Sequence, residues 1–159
     1  MRIDMPCGVL YNLSNIILDL NGTITVDGGF VDGIVERLKK ISEIMNTYVL
    51  TADTGRTLEH LTDQLVGECG IKTHKLKSGR GDLQKLAFLE GLGSDKTAAV
   101  GNGRNDAQML KKAKLGLCVI GKEGASIDAL MASDAVFLNI CDAMDFFLKP
   151  TRMIATLRK

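Results

Sequence analysis

No apolar run in this chain approaches the roughly 20 residues needed to cross a bilayer. Its start, MRIDMPCGVLYNLS, lacks the basic opening and apolar core of an export signal. No CxxC pair occurs. Cys7, Cys69, Cys118 and Cys141 are scattered, which favours reduced and partly buried thiols over disulfides or metal ligands. Neither sign of charge prevails: 20 basic and 19 acidic side chains leave a formal net charge of +1, arguing against a general pull toward nucleic acid or membrane. There is also no linker, low-complexity stretch or internal repeat, so the 159 residues are expected to form one domain over 1–159. These absences together imply the cytoplasm. What remains is ordinary for a globular protein, with 45% hydrophobic and 25% charged residues.

Short β-branched or apolar runs alternate with amphipathic stretches. NIILDL (15–20) reads as a strand buried on both faces, TYVLT (47–51) as a second and IKTHKL (71–76) as a weaker third. TAAVG (97–101), GLCVI (116–120) and AVFL (135–138) supply three more. Between them, DGIVERLKKISEIM (32–45) sets Ile34, Leu38, Ile41 and Met45 on one helical stripe. GRTLEHLTDQLVGE (55–68) is a helix stopped at Gly70, and GDLQKLAFLEGL (81–92) a helix with Asp82 as its expected cap. Further helices are expected near 104–114, 124–132 and 141–148. The Asp-Gly-Gly tip of TVDGGFV (25–31) predicts a hairpin flap. Residues 1–14 are expected to add an N-terminal strand or hairpin, and 149–159 a basic amphipathic tail packed on the domain edge or a partner subunit. The expected class is α/β: a doubly wound, Rossmann-like, mostly parallel sheet of about five or six strands with helices on both faces. Too little chain separates Asp19 from Thr51 for a cap domain.

Such a sheet binds ligands outside the carboxyl ends of its strands, where the strand order reverses. Asp19, Thr51 and GNGRND (101–106) fall at or just past such ends, and Lys85 lies in the first turns of the helix after the third strand. A carboxylate, a hydroxyl, an ammonium and a cluster of oxygen ligands on one rim suit phosphoryl transfer through an aspartyl-phosphate. Asp19 would attack phosphorus, while Thr51 and the N–H groups around Asn21 and Gly22 would hold phosphoryl oxygens. Lys85 would hold the nucleophile and the phosphoryl charge. Asp19, the main-chain carbonyl of Asn21, and Asn102 or Asp106 would offer oxygens to Mg²⁺. Each also has a plain structural reading. An aspartate at a strand end caps turns, Thr51 closes a strand, Lys85 is a solvated helix lysine, and GNGRND is a tight turn capped by Asn105 or Asp106. Their joint occurrence, in order and on one rim, favours the site. GKEGAS (121–126) lacks the order of a phosphate-binding loop and reads as a helix-opening turn. Arg80-Gly81-Asp82, His60 and His74 are read as surface or structural residues.

DLNGTIT, LTADTGRTLEHL, Lys85 and VGNGRNDAQML resemble, in order, the four motifs of the haloacid dehalogenase-like (HAD) superfamily. The resemblance is strongest to the phosphorylation domain of P-type ATPases, with their DKTGTIT, LTGDN and VGDGxNDAPAL segments, and to the small soluble phosphatases related to them. It spans roughly residues 10 to 148 and implies a Rossmann-like sheet, Mg²⁺ as cofactor and an aspartyl-phosphate at Asp19. By the same resemblance the phosphate-binding set is Gly22, Thr23, Thr51, Ala52, Lys85 and Asn105. The catalytic set is Asp19, Asn21, Thr51 and Lys85, and the metal set is Asp19, Asn21, Asn102 and Asp106.

The departures are informative. With no membrane segment, ion pumping is excluded for this chain alone, and the large nucleotide-binding domain of the ATPases has no counterpart. Asn102 stands where a Mg²⁺ carboxylate usually stands, so weaker metal binding is expected. Asn21 replaces the Asp that protonates the leaving group in ordinary family phosphatases, and that help is worth about 10²–10⁴-fold. The expected partner is a phosphorylated small molecule or an acyl phosphate, without nucleic acid or membrane, and an open rim mildly favours a homo-oligomer. The rival expectation is a non-catalytic or regulatory module, a phospho-acceptor or partner-binding domain on the same fold.

Overall fold

Successive residues of the central strands point into two different apolar layers, and this alternation organises the molecule. The computed structural model describes residues 1–6, 8–52 and 56–158; Cys7, the 53–55 part of the segment after Thr51, and Lys159 lie outside the described residues. Strands β1 (Arg2–Asp4) and β2 (Leu10–Asn12) pair as an antiparallel hairpin. β3 (Asn15–Asp19) enters the main sheet, and β4 (Thr25–Val26) with β5 (Gly29–Phe30) makes the flap. Asp27 and Gly28, at its tip, both have positive φ, the geometry of a tight hairpin turn. The chain continues through α1 (Ile34–Ile44), β6 (Asn46–Thr51), α2 (Arg56–Cys69), β7 (Lys72–Lys75) and α3 (Gly81–Leu92). Next come β8 (Thr97–Gly101), α4 (Ala107–Lys112), β9 (Leu115–Val119) and α5 (Ile127–Met131). It ends with β10 (Ala135–Phe137), α6 (Ile140–Leu148) and α7 (Pro150–Leu157).

Six strands lie in the order β10-β9-β8-β3-β6-β7, and every neighbouring pair is parallel. This is the doubly wound α/β class expected, with the order reversing at β3 and β8. One apolar layer takes Ile16 and Leu18 of β3 with Val49, Val100 and Leu117, covered by α1, α2, α6 and α7. The other takes Ile17 with Leu50, Ala99 and Cys118, covered by α3, α4 and α5. β3 is therefore buried along its whole length, with Ile16, Ile17 and Leu18 at its centre, because both of its faces are sealed. Cys69 and Cys118 are buried and Cys141 half-buried, all three as free thiols. Among the described residues no helix is long and apolar enough to cross a membrane.

Two local expectations change. Asp82 does not cap α3: the residue at that position is Arg80, and its guanidinium takes the Asp82 carboxylate in two bonds of 2.9 and 2.6 Å. A bidentate, charge-assisted pair outcompetes a single main-chain N–H. The helix expected from 104 begins as a single 3₁₀ turn at Arg104–Asp106, because Asp106 turns back toward the preceding loop. The basic tail forms a helix: Pro150 opens α7, and Met153 is buried in the apolar core.

α1, α6 and α7 are tied together at Asp145, which accepts from Arg37 at 3.0 Å and from Lys149, at the α6–α7 junction, at 3.1 Å, with Arg152 of α7 at 3.8 Å. Burial pushes this carboxyl up, but the bonds from Lys149 and Arg37 outweigh it and hold it below the usual carboxylate range. A depressed folded-state pKa contributes stability above the unfolded value, which is lost as pH falls through the folded one. Asp145→Asn is therefore expected to lower stability by about 1–3 kcal/mol at pH 7. In urea titrations the gap from wild type should close as pH falls below the ordinary Asp value of 3.8.

Candidate active site

α3 buries only two side chains, Lys85 and Leu89, one turn apart on one face. Leu89 packs into the apolar layer beneath β3, so the same face drives Lys85 toward the end of that strand. Before the helix, Gln84 clamps the incoming loop: its Nε2 donates to the Lys77 carbonyl at 3.0 Å, and its Oε1 accepts from the Lys77 N–H at 2.8 Å. The result is an ammonium with 1% of its side chain exposed. Lys85 Nζ donates to Asp19 Oδ1 and to Asp106 Oδ1, each at 2.5 Å.

Asp106 reaches this point because the chain turns sharply after β8. Its Oδ2 accepts from the N–H groups of Asn102 and Gly103, at 3.1 and 2.9 Å. A Cβ on Gly101 would stand 2.5 Å from the Asp106 carboxyl carbon, so only glycine leaves room for that side chain. Thr23 closes the other side. Its hydroxyl lies 3.4 Å from Asp19 Oδ2 and 3.3 Å from Asn102 Oδ1. The Asn102 amide is held by Nδ2, which donates to the Gly124 carbonyl at 3.1 Å, so its oxygen faces Thr23 and the Asp19 side.

The electrostatics follow from burial. Asp19 is pushed up to about 7, first by desolvation and then by Asp106, against the pull of Lys85 and the Thr23 hydroxyl. Burial alone would lower Lys85, but the two carboxylates hold it above its ordinary value, so it stays cationic. With all three groups ionised the triad carries a net negative charge, and its open side is lined by oxygen.

The candidate residues divide in two. Asp19, Thr23, Lys85, Asn102 and Asp106 form one hydrogen-bonded cluster at the ends of β3 and β8, where the strand order reverses. Thr51 is buried at the end of neighbouring β6, one residue past the Leu50 that pairs with Asp19. Gly22 is buried in the turn after β3, at φ 74°. Asn21, Ala52 and Asn105 are exposed around this rim. Lys85 is no solvated lysine, and GNGRND is indeed a tight turn whose capping group is Asp106. Sequence reasoning did not anticipate Gln84 as a clamp or Glu123 at the rim. Glu123 Oε1 accepts from the Asp27 N–H at 3.1 Å, joining the 121–124 loop to the flap. Its place just past β9, on the shared rim, was the available signal. A pocket of about 540 Å³ adjoins the cluster through Gly22 and Thr23 and runs under the flap past Val26, Phe30, Lys122 and Leu138.

No protein-family model matches this chain. Over 92 residues it is 42% identical to the uncharacterized protein MJ0073 of Methanocaldococcus jannaschii, covering 55% of this chain and 99% of that one. The chain belongs to the same family as MJ0073. A second protein of that organism, the uncharacterized MJ0072, is 51% identical over 39 residues, covering 24% of this chain and 89% of its own. Among solved structures, the cobalt-bound deoxy-D-mannose-octulosonate 8-phosphate phosphatase of Haemophilus influenzae superposes with a TM-score of 0.69 at 16% identity, over 94% of this chain and 95% of that one. The 3-deoxy-D-manno-octulosonate 8-phosphate phosphatase of Moraxella catarrhalis, in complex with magnesium ion, phosphate ion and a KDO molecule, gives 0.65 at 17% identity over 93% and 95%. At these identities the shared feature is the fold, that of the HAD superfamily.

A raised carboxylate pKa favours the protonated form in the folded state. The stability Asp19 contributes is therefore present below its unfolded value of 3.8 and is lost as pH rises through about 7. In chelator, wild type should lose stability relative to Asp19→Asn as pH rises from 4 to 8. Thermal melts of the two proteins across that range provide the measurement, and parallel pH profiles would contradict it.

Proposed function

We propose that this protein is a Mg²⁺-dependent phosphohydrolase or phosphotransferase working through an aspartyl-phosphate at Asp19. The observation that carries this reading is the Asp19 carboxylate at the end of the central strand, held by a buried ammonium that also grips Asp106. The motif resemblance and the fold shared with HAD phosphatases support it.

The residues fit a hard, oxygen-seeking cation. Asp19 Oδ2 and Asn102 Oδ1 both lie on the Thr23 hydroxyl, and the Asn102 amide is turned oxygen-first. Among the described residues there is no group of three or more His, Cys, Asp or Glu side chains that could hold a metal. Asp19, Asn102, the Asn21 carbonyl and Asp106 would hold Mg²⁺ with water in its remaining positions. Bound there, it supplies positive charge against the phosphoryl oxygens.

In the first step an Asp19 carboxylate oxygen forms a bond to phosphorus as the bond to the leaving oxygen breaks, and the leaving group departs as an anion. Lys85 neutralises charge on the nucleophile and the incoming phosphoryl group, and Thr51 with the N–H groups of the 20–22 turn holds its oxygens. In the second step water attacks phosphorus and the Asp19–phosphorus bond breaks, releasing inorganic phosphate and a proton. Nothing at position 21 donates a proton to the leaving group, because Asn21 is an exposed amide. The substrates are then acyl phosphates, anhydrides or aryl esters, whose leaving groups depart without protonation. The pocket under the flap would receive the remainder of such a molecule. The same amide supports a slow second step and a long-lived phospho-Asp19, so that the protein doubles as a phospho-acceptor.

A phosphate-release screen over acyl, aryl and alkyl phosphates, with and without Mg²⁺, tests this directly. Acyl and aryl substrates should turn over at least tenfold faster than alkyl esters, in a Mg²⁺-dependent reaction abolished by Asp19→Asn. Activity indifferent to that substitution would sink the mechanism. Asn21→Asp should raise alkyl esterase activity by about 10²-fold or more if the missing acid is the limit.

A further inference from the structure

Glu123 is the third carboxylate at this rim, and neither the motifs nor the proposed mechanism uses it. The 121–124 loop lies directly on the turn after β3: a Cβ on Gly121 would sit 3.4 Å from the Gly22 carbonyl oxygen. The loop is fixed there from two sides. Asn102 donates through Nδ2 to the Gly124 carbonyl, and the Asn102 carbonyl accepts from the Ser126 N–H at 2.8 Å. Glu123 then spans the gap between the flap and Asn102. While Oε1 holds the Asp27 N–H, Oε2 and the Asn102 amide converge on the same spot over Gly22. A Cβ there would meet Asn102 Nδ2 at 2.5 Å and Glu123 Oε2 at 3.0 Å. No ammonium or guanidinium lies in ion-pair distance of Glu123 among the described residues.

We infer that Glu123 supplies, from the edge of the metal site, the negative charge that Asn102 lacks. This rests on the Mg²⁺ reading above. Glu123 Oε2 faces Gly22 and the nitrogen end of the Asn102 amide rather than the Oδ1 that faces Thr23, so it would act beside the ligands and not as one of them. It acts instead as an acceptor for water in the cation's outer shell and as a nearby opposite charge, while its other oxygen keeps the flap in place. Outer partners of this kind change metal affinity by about 10–100-fold. Glu123 is thus a positioning residue for the cation.

The test is calorimetric titration of Mg²⁺ into the full chain, without substrate, for wild type, Glu123→Gln, Glu123→Ala and Asp19→Asn. Gln keeps an oxygen for the Asp27 N–H and removes only the charge. Both Glu123 variants should bind Mg²⁺ about tenfold more weakly than wild type, with metal-free melting temperatures close to wild type for Gln. Wild-type affinity in Glu123→Gln, with binding lost in Asp19→Asn, would overturn the role of Glu123 and leave the carboxylate cluster standing. Binding that is absent in wild type, or indifferent to Asp19→Asn, would overturn the cluster reading itself and this inference with it.

Discussion

A buried ammonium between two carboxylates is the contact on which the rest of the site depends. Taken singly, each of Asp19, Lys85 and Asp106 would be a severe burial cost, because an unpaired charge in a low-dielectric interior loses its hydration without replacement. Together they satisfy one another, and no buried side-chain nitrogen or oxygen among the described residues is left without a partner. The surrounding structure serves that arrangement. Leu89 keeps α3 face-down on the sheet, Gln84 fixes the turn that precedes it, and Gly101 leaves the space into which Asp106 folds back. Stability and chemistry pull in opposite directions here: the burial that raises the Asp19 pKa is also what would free a carboxylate from water for attack on phosphorus.

The two amides at Asn21 and Asn102 give the site its particular character. The phosphatases that share this fold are only 16% and 17% identical to the chain, so their substrates do not transfer by likeness. The local chemistry says more. Replacing a proton donor with an amide leaves the nucleophile intact but makes the reaction depend on the leaving group's own stability. Replacing a metal carboxylate with an amide lowers the charge at the cation without removing an oxygen, because Gly124 orients the side chain. Under the proposed mechanism, such a site would discriminate by leaving-group acidity.

Much of this was legible beforehand because it rests on local signals. Alternating strand and helix periods led to the doubly wound sheet, and strand ends located Asp19, Thr51 and the GNGRND turn. Lys85 was legible only as a position on a helix; that it is buried depends on which face α3 presents, and the pattern of α3 is too weakly amphipathic to say. The Asp82 cap failed for a different reason. Cap preference describes an aspartate without competitors, and Arg80 two residues earlier was a stronger one. Glu123 offered only its place just past β9 as a signal; its contact with the flap, like the bridging role of Thr23, arises where loops from distant parts of the chain meet.

The three charged groups of the cluster come from residues 19, 85 and 106, on β3, α3 and the turn after β8. Side chains alternate faces along a strand, so sliding β3 by one residue against β8 would carry Asp19 to the opposite face of the sheet. Lys85 would then lose a counter-charge in a place water cannot reach. A mispaired sheet is thereby penalised at the one point where apolar packing alone would be lenient, since Ile16, Ile17 and Leu18 suit either layer nearly equally well. The same ion contact that holds Asp19 at the strand end would thus act during folding as a check on strand register.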